Sequence, residues 1–300
     1  MARTRRIKAE GAAFYHVTSR ITGKQFLLKD PEVKKLMLSA LERSAKFSGV
    51  EIGSFCLMDD HFHILLHIPS FDAGTLPDSE LLDRIEILAG KKRADILHDR
   101  WEHLVSNGDT PLAEAEKQRW RRRMYDLSEF VKTFKEEFRR AYQREHDYSG
   151  RLWGDRFFST LIEDSEHLKN CAAYIEMNPV RAKMVQKAKD YAWNSSGLAL
   201  RGNEFARECR QWLMEYAGLS GGISLDGDTP QKESWVMRRV PQMSKGKILG
   251  KAAFVTEAIA KYQNKLNSHR ARARVVVEGM FASHGYRLAG GGGAKRRNVA

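Results

Sequence analysis

Two histidines separated by a single residue, His61 and His63, stand in the run HFHILLHI at 61–68. In an extended strand successive side chains point to opposite faces. Phe62, Ile64, Leu66 and Ile68 therefore share one face, and His61, His63, Leu65 and His67 the other. The apolar set must meet packed helices, which leaves His61 and His63 about 7 Å apart along the opposite face, a separation from which two imidazoles can converge on one divalent ion. The same spacing also suits two histidines on a merely structural or solvent-facing strand surface. A second group lies between 165 and 178. Leu168, Cys171, Ala172 and Ile175 recur at helical spacing and define a core stripe, while Tyr174 and Asn178 lie one turn apart on the neighbouring stripe. A tyrosine there is ordinarily the amphipathic edge of a helix. Beside a metal and a phosphate its hydroxyl would instead be a nucleophile, because a phenol with a pKa of about 10 needs local positive charge to ionise at neutral pH. His167 lies on the same helical side and competes with Asn178 for any third ligand position, but three turns earlier.

The elements that must position these groups are legible in the pattern around them. Residues 13–19, AFYHVTS, predict a first strand followed by a turn at Thr22-Gly23. Asp30-Pro31 predicts a capped helix start, and Val33, Leu36, Met37, Ala40, Leu41 and Ala45 keep helical spacing until Gly49 ends it. Residues 50–57 and 61–68 predict a hairpin joined by Met58-Asp59-Asp60. A polar stretch, about 70–126, reads as a helical insertion. A helix at 127–145, a strand at 157–162 and a helix from 165 to Pro179 complete the order. The fold class is therefore α+β: a ferredoxin-like, split βαβ antiparallel sheet with helices on one face and one further helix. Residues 1–200 are expected to form this domain. Residues 201–300 are expected to form a basic, mainly helical C-terminal extension, with a helix near 205–216, a Gly/Ser/Asp-rich link at 218–230, an amphipathic run at 248–266 and a low-complexity end.

The chain has 300 residues, 42% hydrophobic and 30% charged, enough for a full core. No run approaches the length of a membrane span, and the basic start lacks the apolar stretch of a secretory signal, so no membrane association and a cytoplasmic location are expected. Cys56, Cys171 and Cys209 form no CxxC pair and read as buried small hydrophobes. The net charge of +13 favours a polyanionic partner, since neutralising phosphates releases condensed counterions. Twelve Lys or Arg against two acids lie between Lys245 and Ala300, which suits either a DNA-binding appendage or a solvated basic tail.

Four segments in order carry a family resemblance: YHVTSR at 15–20, CLMDDHFHILL at 56–66, LWGDRF at 152–157 and YIEMNPVRA at 174–182. Together they resemble the HUH single-tyrosine transposases, and most of all the REP-associated branch. The resemblance runs from about residue 12 to Ser196, interrupted by the insertion. It implies that His61 and His63 are the HUH metal ligands, that Asn178 completes the site, that Tyr174 is the nucleophile and that Mg²⁺ or Mn²⁺ is the cofactor. The implied activity is cleavage and rejoining of single-stranded or hairpin DNA through a 5′-phosphotyrosine. Arg20, Trp153, Arg156, Arg181 and Lys183 are then the candidate DNA contacts, with Trp153 and Phe158 as stacking surfaces, while core packing also suits Trp153 and a plain solvated surface also suits Arg156, Arg181 and Lys183. Where the branch carries Pro-Asn before the first histidine, this chain carries Asp59-Asp60, which places an extra carboxylate beside the site. A non-catalytic DNA-binding protein on the same fold, and a replication initiator or relaxase using the same first step, are the competing functions; the latter lacks the Asn-Pro-Val-Arg context. Whether the chain forms a homodimer is left open. If Tyr174 is not the nucleophile, Tyr15 and Tyr191 are the next candidates.

Overall fold

The computed structural model describes residues 6–163, 166–217 and 246–262, with the strands at 272–277 and 280–284. The residues 164–165, the 218–230 link and the end at 290–300 lie outside these. β1 (Ala13–Arg20) is central, flanked by antiparallel β3 (His61–Ile68) and β4 (Phe158–Ile162), and β2 (Glu51–Leu57) pairs outside β3. This is the ferredoxin-like order predicted from the sequence. The hairpin turn closes as Met58 N–H donates to the His61 carbonyl at 2.8 Å.

Helix α1 (Pro31–Ser48) begins where the Asp30 carboxylate accepts from Glu32 N–H at 2.8 Å, and it stops at Gly49, whose φ of 66° is open to glycine. A Cβ at Gly49 would also collide with the Tyr125 ring. Helix α5 (Leu127–His146) is capped by Asp126, which accepts from Ser128 and Glu129 N–H. Phe130, Phe134 and Phe138 of α5 pack with Leu41 of α1 against Tyr15, Val17, Phe62, Ile64 and Leu66 of the sheet. Each buried phenylalanine contributes about 2–3 kcal/mol by removal from water. The two helices of the split βαβ unit thus share one face, as expected.

The further helix takes the other face. α6 (Glu166–Glu176) lays Leu168, Cys171, Ala172 and Ile175 on Phe14, Leu65 and Ile162, so the stripe read from spacing is the packed one. Between α1 and α5 in sequence, the insertion folds as α2 (Asp78–Ala89), α3 (Lys91–Ser106) and α4 (Thr110–Arg121), with Leu81, Ile85, Leu97 and Trp101 gathered around Phe47 of α1. All three cysteines are buried. No helix among the described residues is long and apolar enough to cross a membrane.

After the short helices α7 (Asn178–Arg181) and α8 (Ser195–Leu200) comes α9 (Glu204–Tyr216). The later residues depart from the mainly helical expectation. The run at 248–266 opens as a strand, β5 (Ile248–Gly250), before α10 (Ala252–Lys261). β5 pairs in parallel with β4, and β6 (Arg272–Val277) and β7 (Met280–His284) extend the sheet to seven strands in the order β2-β3-β1-β4-β5-β7-β6. Three residues are too few to display an alternating pattern, so β5 was hidden in the apolar run that precedes its helix.

One buried carboxylate ties the far end of α6 to the chain that follows. Glu176, with no exposed surface, accepts from Ser195 Oγ at 2.7 Å and Ser196 Oγ at 2.5 Å and pairs with Arg210 of α9 at 3.2 Å. Asn194 donates to the Glu176 carbonyl at 3.2 Å and bridges to Cys56 of β2. Removing the carboxylate leaves three donors aimed at an empty place. Glu176→Ala should therefore cost about 3 kcal/mol in urea unfolding, with Glu176→Gln costing less. An unchanged unfolding midpoint in the alanine variant would show that this anchor does not hold the helix.

Candidate active site

The strand register brings the site together. Pairing of β1 with β3 sets Arg20 opposite His61 and Thr18 opposite His63, on the face that α6 covers. α6 ends before it reaches the ends of these strands, and a cavity of about 770 Å³ opens there. His61, His63, Tyr174, Asn178, Arg20, Arg156 and Arg181 all line it. The sequence-predicted ligands and nucleophile, drawn from β3, α6 and α7, therefore face one space. The rings of His61 and His63 have centroids 5.0 Å apart, and Tyr174 lies 6.4 Å from His63.

Each candidate ligand has one polar atom anchored. His61 Nδ1 is held by the Asp60 carboxylate, which in turn pairs with Arg20 at 2.9 Å. Burial pushes the Asp60 carboxyl up, but the bond to His61 and the charges of His61 and Arg20 outweigh it and hold the group below the usual carboxylate range. The extra carboxylate noted in the sequence is thus a holder of the first histidine. His63 Nδ1 shares a hydrogen bond of 2.9 Å with Nε2 of His16. Asn178 Nδ2 donates to the carbonyls of Tyr174 at 3.2 Å and Ile175 at 3.0 Å. What remains on the three side chains is Nε2, Nε2 and Oδ1, a donor set that fits a hard or borderline divalent cation. Among the described residues no group of three or more His, Cys, Asp or Glu is arranged to hold a metal.

Tyr174 is packed by Arg181, whose guanidinium lies 3.9 Å from the ring centroid and donates to the Tyr174 carbonyl at 2.7 Å. Burial lowers the Arg181 pKa, with Tyr174 countering it. The alternative tyrosines do not line the cavity. Tyr15 accepts from Ala9 N–H at 2.8 Å and burial pushes it up to about 12; Tyr191 donates to the Leu57 carbonyl at 2.7 Å and burial likewise raises it.

Three of the residues singled out from the sequence lie elsewhere. Trp153, 9% exposed, packs edge-on against Phe62 and Phe138 and donates from Nε1 to the Lys135 carbonyl at 3.1 Å, so it is a core residue and offers no stacking face. Lys183 is exposed and does not line the cavity. It adopts φ 58° at the end of α7, where Met184 N–H reaches back to the Pro179 carbonyl at 2.9 Å, the geometry of a helix-terminating turn. His167 is buried near Glu163 at 3.6 Å and does not line the cavity, which leaves Asn178 as the third candidate ligand. Phe158 does line it. The residue that sequence reasoning missed is His16, buried on β1 with its ring 5.1 Å from His63 and 6.2 Å from Tyr174. Its signal was available: β1 alternation places His16 on the face of Thr18 and Arg20.

Fold and cavity together define an α+β protein in which one end of an antiparallel sheet presents histidines, a tyrosine, an amide and several arginines to a common opening. No protein-family model matches the chain, and no curated protein matches it. Among solved structures, a REP-associated tyrosine transposase bound to a REP hairpin is similar, with a TM-score of 0.44 and 15% identity over 67% of this chain and 87% of that one. At that level the likeness carries nothing about chemistry.

Burial, and next to it the charges of His61 and His16, drive His63 well below the ordinary 6.5, so it stays neutral in the folded protein while the unfolded chain takes up a proton. The unfolded state then binds more protons below pH 6.5, and stability falls as the pH drops through that value. In chelator, lowering the pH from 7.5 to 5.5 should cost roughly 1 kcal/mol through this residue, and His63→Gln should lose that share of the slope. Identical pH slopes in the two proteins would contradict the assignment.

Proposed function

We propose that the protein is a metal-dependent DNA strand transferase that cleaves and rejoins single-stranded DNA at hairpin-forming repeats through a 5′-phosphotyrosine on Tyr174. The observation that carries this reading is the placement of Tyr174 beside His61, His63 and Asn178 in one cavity, with Arg181 against its ring. The four sequence segments that resemble HUH single-tyrosine transposases support it independently of the geometry.

In this reading the Tyr174 oxygen attacks phosphorus, a tyrosine–phosphorus bond forms, and the bond to the 3′ oxygen breaks. The leaving oxygen takes a proton and becomes a 3′-hydroxyl. A Mg²⁺ or Mn²⁺ ion held by His61, His63 and Asn178 would supply Lewis-acid polarisation of the scissile phosphate. Arg181 stabilises the tyrosine anion before attack and again when the linkage is reversed. Arg20, in the cavity lining, offsets phosphate charge. Because the phosphodiester is exchanged and not hydrolysed, a 3′-hydroxyl can later attack the phosphotyrosine and rejoin strands without a nucleotide cofactor.

Labelled single-stranded DNA from the sequence flanking the gene, incubated with the protein and Mn²⁺, should give a covalent adduct on denaturing gels. Tyr174→Phe, which keeps the ring packing, should form none, and His61→Ala should reduce the adduct by roughly 100-fold or more, as loss of a catalytic metal ligand does. Chelator should abolish it in the wild type. An undiminished adduct in Tyr174→Phe overturns the assignment of the nucleophile. Tight DNA binding with no adduct under any metal would instead favour a non-catalytic DNA-binding protein.

A further inference from the structure

A row of cations runs from the cavity past the start of β4 to the opposite face of the sheet. Arg156 and Phe158 line the cavity, and Lys247, which precedes β5, sets its ammonium 4.3 Å over the Phe158 ring. On the α5 face Arg6 stacks its guanidinium 3.6 Å over the neighbouring Phe157. Lys135 of α5 lies 4.7 Å over Trp153 and donates to Ser19 Oγ at 2.9 Å; Ser19 is itself a cavity residue. Arg151 is fixed by its donation from Nε to the Trp153 carbonyl at 2.9 Å. Arg6, Lys135, Arg151 and Arg156 make no ion pair with a carboxylate among the described residues. Asp126 is engaged with Lys8 at 2.5 Å and Glu136 with Arg139 at 2.7 Å, and the exposed Asp155, beside Arg156 in the cavity lining, is the one acid in the segment that carries Arg151 and Arg156.

Burial lowers the pKa of Arg6, Lys135 and Lys247 first, and repulsion among the cations adds to it. Burial, then Arg156, lowers Arg6 to about 10, with Asp126 opposing; burial, then Arg6 and Arg151, lowers Lys135 to about 8; burial, then Arg6 and Arg156, lowers Lys247 to about 8. The folded chain therefore holds like charges together at a cost that an anion would relieve. They come from four separate parts of the sequence: the start of the chain, α5, the segment before β4 and the segment before β5. Aromatic faces hold three of them in place, which limits the entropy lost on binding.

We infer that this strip, Arg6–Lys135–Arg151–Arg156, is a phosphodiester track that carries the single strand leaving the catalytic cavity, with Lys247 buried behind it against the Phe158 ring. Naming the polyanion as DNA rests on the reading of the cavity given above; the strip itself does not. The track contacts backbone and not bases, so it is blind to sequence and takes no part in bond breaking. It also places Phe158, at the junction of strip and cavity, where a base beside the scissile phosphate can stack.

Binding measured by fluorescence anisotropy in chelator, across a sodium chloride series, needs no cleavage and so reports on the track even if Tyr174 proves inert. The probes are labelled fifteen-residue oligo-dT and oligo-dA. Two variants remove two charges each from the strip: Arg151→Gln with Arg156→Gln, both exposed, and Arg6→Gln with Lys135→Gln. Lys91→Gln with Lys92→Gln, on exposed positions of the insertion, removes the same charge elsewhere. Each strip variant should bind both probes roughly tenfold more weakly, and its salt slope should flatten by about 0.7 per lost contact, while the insertion variant changes little. If the exposed strip pair matches wild type, or if the insertion pair loses as much, the track is overturned. The exposed pair decides the matter even if Arg6→Gln with Lys135→Gln fails to fold, as judged by circular dichroism.

Discussion

Everything at the candidate site depends on the antiparallel pairing of β1 with β3. That pairing has a period of two, and β3 divides along it: Phe62, Ile64 and Leu66 enter the core beneath α1 and α5, while His63, Leu65 and His67 turn to the other side. A slip of one residue would bury His61 and His63 among the phenylalanines of α5 and turn the apolar set toward α6 and the cavity. The hydrophobic core thus fixes the register, and the register fixes where two imidazoles stand. The polar face cannot stay bare over Phe14, Leu65 and Ile162, so α6 packs there, and its packing carries Tyr174 to the histidines.

The site occupies the place where this covering stops. α6 gives way to Met177 and the short α7 just beyond Tyr174, and the Asn178 amide and Arg181 guanidinium both bond the carbonyls freed at that helix end. A helix terminus has unsatisfied carbonyls in any protein; here the side chains that satisfy them are also the ones that face the cavity. The buried Glu176, the last residue of α6, is clamped by Ser195, Ser196 and Arg210 and holds the terminus against β2 through the following segment. Precision at Tyr174 therefore comes from groups that never approach a substrate.

Much of this was legible in the sequence because it rests on local periodicity. The caps Asp30 and Gly49, the two faces of HFHILLHI and the stripe of α6 follow from spacing within a few residues, and the structure reproduces each. What depends on contacts between distant segments was not. His16 meets His63 across strands 47 positions apart, and nothing in AFYHVTSR marks it beyond its face. In the sequence Trp153 suits either a stacking surface or core packing, and its Nε1 on the Lys135 carbonyl, 18 residues away, belongs to the core. Lys183 closes a turn with a left-handed backbone, a role its side-chain type does not announce. The strands β5–β7 gain their place only by joining β4, a pairing no short run announces.

The central claim is that the hydroxyl of Tyr174 becomes covalently bonded to a 5′-phosphate of DNA. It is tested most directly by locating the linkage. The wild-type protein is reacted with single-stranded DNA and Mn²⁺, the DNA is trimmed with nuclease, and the chain is cut with trypsin and analysed by mass spectrometry. The peptide spanning residues 170–181, cleaved after Lys169 and Arg181, should carry the mass of a residual nucleotide, with fragmentation placing it on Tyr174. A nucleotide mass on the peptide that contains Tyr15 or Tyr191, with 170–181 unmodified, would contradict the account.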